Sequence, residues 1–408
     1  MAGQLAVWLY GQIVATIESE RRRLRLRYTP DALRLYPGGS PLLSLTLPVS
    51  SAQFGSGVVR PFLDGLLPEG DPRRAIAEDL GLRADDTFGL IRALGRDCAG
   101  AIVIQPTEDP APPPVTTTTA EPLTDGELAE LIANLRTVPL GANDRVRISL
   151  AGVQQKLLLT RLPDGRWGRP VDGTPSTHIL KPDIRGYPNT VENEAFCMRL
   201  ARYLGLPVAQ VETVKIGERA LIVVTRYDRR VDPDGRVKRI HQEDLCQATG
   251  IPPARKYQEE GGPSLRTLAG ILGATDPGSL RTLLGAIVLN VLVGNGDAHG
   301  KNYSLLHESS GTLRMAPLYD VMSTLYYRDD RLAMYIDDVR RTDRVTTDRI
   351  LNEASLWGMA RRTASDIVGD LLGKVPEAVD RAIADTPAVP DEIQRIVTSQ
   401  LGRLRESS

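Results

Sequence analysis

The chain is 408 residues long, 41% hydrophobic and 25% charged, the make-up of a globular protein with room for two or three cored domains. Its net charge of −1 offers no global field for nucleic acid or a membrane surface, so either contact would need a local patch. Three scattered cysteines without a Cys-x-x-Cys, and four histidines without a zinc-type spacing, exclude disulfide and zinc frameworks. With no apolar run of about 18 residues and no basic-then-apolar leader, the expectation is a cytoplasmic protein with no membrane contact.

Apolar alternation over Leu5–Tyr10 and Gln12–Ile17, joined at Gly11, predicts a hairpin. Arg23-Leu24-Arg25-Leu26-Arg27-Tyr28 alternates strictly, as a half-buried strand with one basic face does. Helical signals follow around Pro61–Leu67 and Pro72–Leu80, then a strand near Ala101–Ile104. Residues 1–105 are therefore expected to form a small α+β subdomain. The prolines and threonines of 106–122 favour extended backbone and predict an exposed linker. Thr124-Asp125-Gly126-Glu127 then opens a helix as a capping box, running to about Leu135.

From Arg145 to about Arg230 the chain reads as strands around one helix, and beyond residue 240 as mostly helical; the expected bounds are 123–230 for the nucleotide-binding part of the N-terminal lobe and 231–408 for the helical lobe. Arg147–Leu159 has the pattern of strand, small-residue turn, strand; at Ala151-Gly152 backbone N–H groups could approach phosphate oxygens. No Gly-x4-Gly-Lys-Ser/Thr occurs, which excludes a P-loop NTPase. Ser176–Lys181 is a strand ending in lysine, and a helix follows from Asn189 through Tyr203, stopping at Gly205 and Pro207. A helical glutamate paired with such a lysine orients it towards nucleotide phosphates in protein kinases. Ala195, Met198 and Ala201 put Glu194 near the inward face, with Glu192 as the other candidate. The strand Ala220–Val224 runs into Thr225-Arg226-Tyr227, either a segment joining two lobes beside a bound base or a core strand entering a charged turn.

The helix Pro277–Leu292 carries Leu280, Leu283, Leu284, Ile287, Val288, Val291 and Leu292 as an apolar stripe. Its end delivers Asn295-Gly296-Asp297-Ala298-His299-Gly300-Lys301-Asn302. Tyr303–His307, the turn Glu308–Gly311 and Thr312–Ala316 predict a hairpin whose return brings Asp320 beside Asn302. One carboxylate facing an acceptor hydroxyl, with an amide and a second carboxylate for Mg²⁺, is the set that phosphoryl transfer asks of a protein.

These stretches together resemble the HipA family, bacterial serine/threonine kinase toxins of type II toxin–antitoxin modules. The resemblance runs through Gly65–Gly70, Arg147–Lys156, Ser176–Lys181, Val191–Leu206 and Gln242–Gln247. It continues through Lys256-Tyr257 with Gly261-Gly262-Pro263, then Asn295–Asn302 and Tyr319–Ser323. It implies an α+β, bilobal protein-kinase-like fold with a mixed N-terminal lobe, an all-helical C-terminal lobe, and ATP and Mg²⁺ as cofactors. It assigns Asp297 as catalytic base, Asn302 and Asp320 as metal ligands, and Lys181 as the phosphate lysine. Ala151, Gly152, Val153, Gln154, Gln155 and Lys156 would cover the phosphates, and Thr225, Arg226 and Tyr227 would lie at the adenine. His299, Lys301 and Tyr319 belong to the same nucleotide site. Ser149 resembles the serine that the family autophosphorylates, which ejects the covering loop. The implied partners are a helix-turn-helix antitoxin resembling HipB, operator DNA through that complex, and an aminoacyl-tRNA synthetase, notably the glutamyl enzyme, as substrate.

Against ordinary protein kinases the chain lacks His-Arg-Asp, Asp-Phe-Gly and Ala-Pro-Glu; Tyr319-Asp320-Val321 stands in place of the second. Two alternatives stay open. A small-molecule phosphotransferase also uses Asp-x4-Asn followed by Asp, although Arg340, Arg341 and Arg344 suit aminoglycoside amines poorly. A catalytically quiet scaffold would hold an antitoxin on DNA and turn over no ATP; Arg21–Arg23 or Arg361 and Arg362 could then touch phosphates.

Overall fold

The structure is a computed structural model that describes residues 3–112, 116–117, 120–136, 156–171, 173–184, 186–308 and 311–406. The expected N-terminal hairpin forms from strands Gln4–Leu9 and Gln12–Glu20. Its two-residue turn places Tyr10 at φ 50° and Gly11 at φ 84°, the left-handed pair that matches the strand twist. Strand Arg23–Tyr28 pairs with the second hairpin strand, burying Leu24, Leu26 and Tyr28 and exposing its arginines. Ile102–Pro106 returns to pair with Gln4–Leu9 and completes a four-stranded antiparallel sheet. Helices Ser56–Leu66 and Thr87–Leu94 cover one face, with Phe62, Leu63, Leu90 and Ile91 in the shared core.

The second sheet has six antiparallel strands, in the order Val211–Ile216, Arg219–Thr225, His178–Pro182, Leu157–Arg161, Trp167–Pro170, Ala120–Pro122. Period-two alternation serves both of its faces. Ile222 and Val224 pack under helix Thr190–Tyr203, and Leu221 and Val223 under helix Asp125–Ala133. The Thr124–Glu127 capping box is present, as its sequence signature requires. Two pieces of the Pro/Thr-rich segment depart from the linker expectation by joining sheets: Ala120–Pro122 as an edge strand and Thr116–Thr117 against Arg236–Arg239. Edges tolerate proline because half of their backbone groups need no sheet partner.

The C-terminal part is built around helix Ser279–Val293. The predicted apolar stripe understates it, because Gly285, Ala286, Leu289, Asn290 and Val293 are buried as well. Helices Leu265–Thr275, Thr347–Leu356, Arg361–Asp385 and Asp391–Glu406 pack around it and explain why only its first turn, at Arg281 and Thr282, meets solvent. This part is helical in the main rather than throughout. Gln242–Asp244, Ser304–His307 and Leu313–Met315 form a three-stranded sheet, and Arg331–Ile336 pairs with Val339–Arg341. Among the described residues no helix is long and apolar enough to cross a membrane, and Cys98, Cys197 and Cys246 are free and buried.

Candidate active site

A cavity of about 420 Å³ opens between the six-stranded sheet and the C-terminal part, with Gly65, Glu69 and Ala99 of the N-terminal subdomain at its edge, within the size range of a small-ligand site. Its ceiling comes from the six-stranded sheet. Lys181 lies on strand His178–Pro182, and its Nζ reaches Glu194 Oε1 at 2.8 Å on the neighbouring helix. The same ammonium lies 2.7 Å from Asp320 Oδ1. Glu192 makes no such pair; burial raises its carboxyl above the ordinary range. Burial works against the Asp320 charge, yet Lys181 outweighs it and holds that carboxyl down at about 2. Asp320 has φ 58°, a left-handed backbone that a non-glycine residue adopts only when its surroundings enforce it.

The enforcement is visible. Asn193, one residue before Glu194, accepts from Ser323 N–H at 2.8 Å through Oδ1 and donates to Ser323 O at 2.9 Å through Nδ2. The helix that presents Glu194 is thereby stitched to the loop that presents Asp320. Below them, helix Ser279–Val293 ends at Gly294 (φ 64°), and the next residues form a cross-braced loop. Asn295 Nδ2 donates to Asn290 Oδ1 at 3.0 Å and Asp297 N–H to Asn295 Oδ1 at 3.0 Å. Gly296 N–H donates to Thr324 Oγ1 at 2.8 Å, and Asn302 Nδ2 to Asp297 O at 2.9 Å. Since the Asn302 nitrogen is used in bracing, its Oδ1 is left as an acceptor.

Asp297 receives the Tyr257 hydroxyl on Oδ1 at 2.7 Å; burial still raises its carboxyl above the ordinary value. His299 packs edge-on against Tyr257, and burial pushes its imidazole down to about 3, so it is neutral at pH 7. Its Nδ1 is buried without a hydrogen-bond partner among the described residues. Lys156, at the start of strand Leu157–Arg161, lines the cavity too; burial, with Lys181 nearby, lowers its ammonium to about 8.

Three predicted nucleotide contacts, Thr225, Arg226 and Lys301, line the cavity with polar groups already engaged by the protein. The Arg226 guanidinium is buried and bonded to Asp228, Ser176 Oγ and Cys98 O, so it serves the interior. The N–H groups of Thr225 and Arg226 are spent on Gln210 O and Thr177 O, each at 2.9 Å. Lys301 is likewise bound to Asp244 Oδ2 at 2.8 Å and Gly65 O at 3.2 Å. Tyr227 and Tyr319 do face one another at the cavity wall, ring centroids 5.6 Å apart and tilted by 33°. With Ile179, Ala209, Val224 and Met322 they give the cavity an apolar side. Ser149 and Ala151, Gly152, Val153, Gln154 and Gln155 lie outside the described residues. Lys256, Tyr257, Asn193 and Glu69 at this site had no spacing rule to reveal them, although Lys256-Tyr257 and Gly65–Gly70 belong to the resembling stretches.

A family model described as the HipA N-terminal domain matches residues 5–105, and one described as the HipA-like C-terminal domain matches residues 148–379. The chain belongs to the HipA family. It is 39% identical to Y4mE of Sinorhizobium fredii, a protein assigned as a kinase, over 94% of this chain and 92% of that one. It is 33% identical to the serine/threonine-protein kinase toxin HipA of Shewanella oneidensis, over 90% of this chain and 86% of the toxin. A solved complex of Shewanella oneidensis HipA, HipB and its operator DNA contains a chain that superposes with a TM-score of 0.81. That chain is 29% identical, with coverage of 98% and 95%. The α+β kinase-like fold and the HipA family kinase assignment expected from sequence therefore hold. Within this HipA family kinase the cavity draws on both matched regions: Gly65 and Glu69 come from the first, and the Lys181–Glu194–Asp320 cluster and Asp297 from the second.

Proposed function

We propose that this HipA family kinase is the toxin of a toxin–antitoxin pair. It transfers the γ-phosphoryl group of ATP to a serine or threonine of a protein needed for translation. An aminoacyl-tRNA synthetase such as the glutamyl enzyme is the substrate that the family resemblance points to. The observation that carries the reading is the Lys181 ammonium held between Glu194 and Asp320, in a cavity that also takes up Asp297 and Asn302.

The residues present suit a magnesium nucleotide. Mg²⁺ favours one or two carboxylates plus water and phosphate oxygens, and Asp320 with the Asn302 amide oxygen offers that kind of donor set. A cation, the Lys181 ammonium, already stands 2.7 Å from Asp320. When bound, the metal supplies charge neutralisation on the phosphate oxygens. The chain's own residues divide the remaining work. Lys181, steadied by Glu194, faces the phosphates, while Tyr227 and Tyr319 offer an apolar wall to the base. Asp297 accepts the proton of the acceptor hydroxyl as its oxygen bonds to the γ-phosphorus, and the bond from that phosphorus to the β,γ-bridging oxygen breaks with its electron pair leaving on ADP.

The Shewanella complex supports a HipB-like helix-turn-helix antitoxin as partner, with operator DNA held through it. Ser149 is the proposed autophosphorylation site: a charge near −2 beside nucleotide phosphates would be repelled, and the covering segment would leave. The test is expression of the chain alone in a bacterium. Growth arrest is expected, and Asp297→Asn should relieve it while cutting transfer in vitro by about 10²–10⁴-fold. Phosphoproteomics of the two strains would then name the substrate, and arrest that persists in Asp297→Asn would show that toxicity comes from partner or DNA sequestration instead.

A further inference from the structure

The lysines that line the cavity have unequal freedom. Lys181 is engaged by Glu194 and Asp320, and Lys301 by Asp244 and the Gly65 carbonyl. Lys156 enters from the six-stranded sheet, on the strand side with Lys181. Lys256 enters from the same side as Asp297, on the turn that follows Pro253–Arg255. Its contacts are loose ones: Glu69 Oε2 at 3.8 Å and the Tyr257 ring centroid at 5.6 Å. Such an ammonium can change partners at little cost when a stronger anion arrives.

The turn carrying Lys256 is locked to the catalytic loop. Gly300 N–H donates to Lys256 O at 3.1 Å, and the next side chain, Tyr257, donates to the Asp297 carboxylate. Gly262 N–H closes the turn on Tyr257 O at 2.9 Å. A Cβ on Gly262 would lie 2.6 Å from that same oxygen, and one on Gly300 would overlap Pro263 and come within 2.9 Å of Cys246 Sγ. Two segments about forty residues apart in sequence are thus pressed together so that Lys256 and Asp297 border one space.

We propose that Lys256 is a catalytic residue of this kinase, its ammonium contacting the γ-phosphoryl oxygens during transfer, with Tyr257 as the positioning residue that holds the Asp297 carboxylate in the same cavity. The inference rests on the kinase reading above. A transferring phosphoryl group spreads negative charge over its equatorial oxygens, and a preorganised cation there stabilises the transition state more than the ground state. Asp297 and Lys256 border the cavity from one side; Lys256 takes up that charge without forming a bond, and on transfer it is free to return to Glu69.

The experiment compares wild type with Lys256→Met, Lys256→Arg and Tyr257→Phe in full-length protein. Transfer to a protein acceptor and binding of ATP, ADP and ADP with aluminium fluoride are measured, with thermal unfolding as the check on folding. Lys256→Met should lower kcat by about 10²–10³-fold, the usual cost of losing one such charge contact. It should weaken ADP–aluminium fluoride binding far more than ADP binding, and Lys256→Arg should restore part of both losses. Tyr257→Phe should lower kcat with KM for ATP and the ADP affinity unchanged. Equal weakening of ADP and ADP–aluminium fluoride in a folded Lys256→Met, or wild-type kcat, overturns the assignment. Should Lys256→Met not fold, Lys256→Gln decides: a lowered kcat with ADP–aluminium fluoride weakened far more than ADP supports the charge role, and wild-type kcat or equal weakening of the two ligands overturns it. Wild-type protein that transfers no phosphate to any acceptor would instead sink the kinase reading itself.

Discussion

At the residue scale the site depends on a carboxylate held in an uncommon backbone conformation against a cation. Asp320 sits in a left-handed backbone beside Lys181, and that ammonium favours its ionised form. Replacing Asp320 with alanine removes an oxygen donor and one of the two carboxylates on Lys181. Magnesium-dependent nucleotide affinity should fall by at least tenfold while metal-free affinity changes little, as read by calorimetry with and without Mg²⁺. Equal affinities for mutant and wild type in both conditions would take Asp320 out of the ligand set. That Asp297, Asn302 and Asp320 border one cavity was readable, because oxygen-bearing side chains at a loop and at a hairpin foot follow a spacing. The inward turn of the Arg226 guanidinium was not legible, because sequence shows a charge at a strand end but not whether the chain will fold over it.

At the scale of elements, the bond between helix Thr190–Tyr203 and the loop after Asp320 is the notable device. Asn193 satisfies both backbone groups of Ser323, so movement of the helix would strand two buried polar groups. Asn193→Ala should separate Glu194 from Asp320 and lower kcat by about tenfold or more, with a stability loss of about 1–3 kcal/mol from the unsatisfied groups. Steady-state kinetics alongside thermal melts would check it; an unfolding loss without any kinetic change would make the link purely structural. Periodicity revealed the helix and its inward glutamate. It could not reveal this stitch, since Asn193 and Ser323 are 130 positions apart and no local rule pairs them. The central helix Ser279–Val293 failed in the opposite direction: its stripe was legible, but the partners that bury most of its remaining surface are other helices, three of them later in the chain.

At the scale of the whole molecule, the four-stranded subdomain and the nucleotide sheet meet through buried charge. Asp97 accepts from Ser176 N–H at 2.9 Å and from Arg229 at 2.8 Å, with Arg226 and Arg239 at 3.4 and 3.5 Å. Burial opposes ionisation of Asp97, but Arg226, Arg229 and Arg239 outweigh it and hold its carboxyl well below the usual carboxylate range. A folded value below the unfolded one means that this stabilisation is complete above about pH 4 and is lost as pH falls further. Asp97→Asn should cost about 3–5 kcal/mol at pH 7, because it leaves buried guanidinium groups short of counter-charge. Melting temperature against pH should also lose part of its acid slope, and an unchanged slope would remove Asp97 from the linkage. Sequence reading separated the two bodies at the proline-rich stretch without seeing this joint, whose members come from segments far apart in the chain. A consequence follows for anyone who severs the polypeptide near residue 110. The larger fragment would carry Arg226, Arg229 and Arg239 on a freshly bared face, and reunion with the smaller fragment should be tight, since hidden ion pairs feel little screening from added salt.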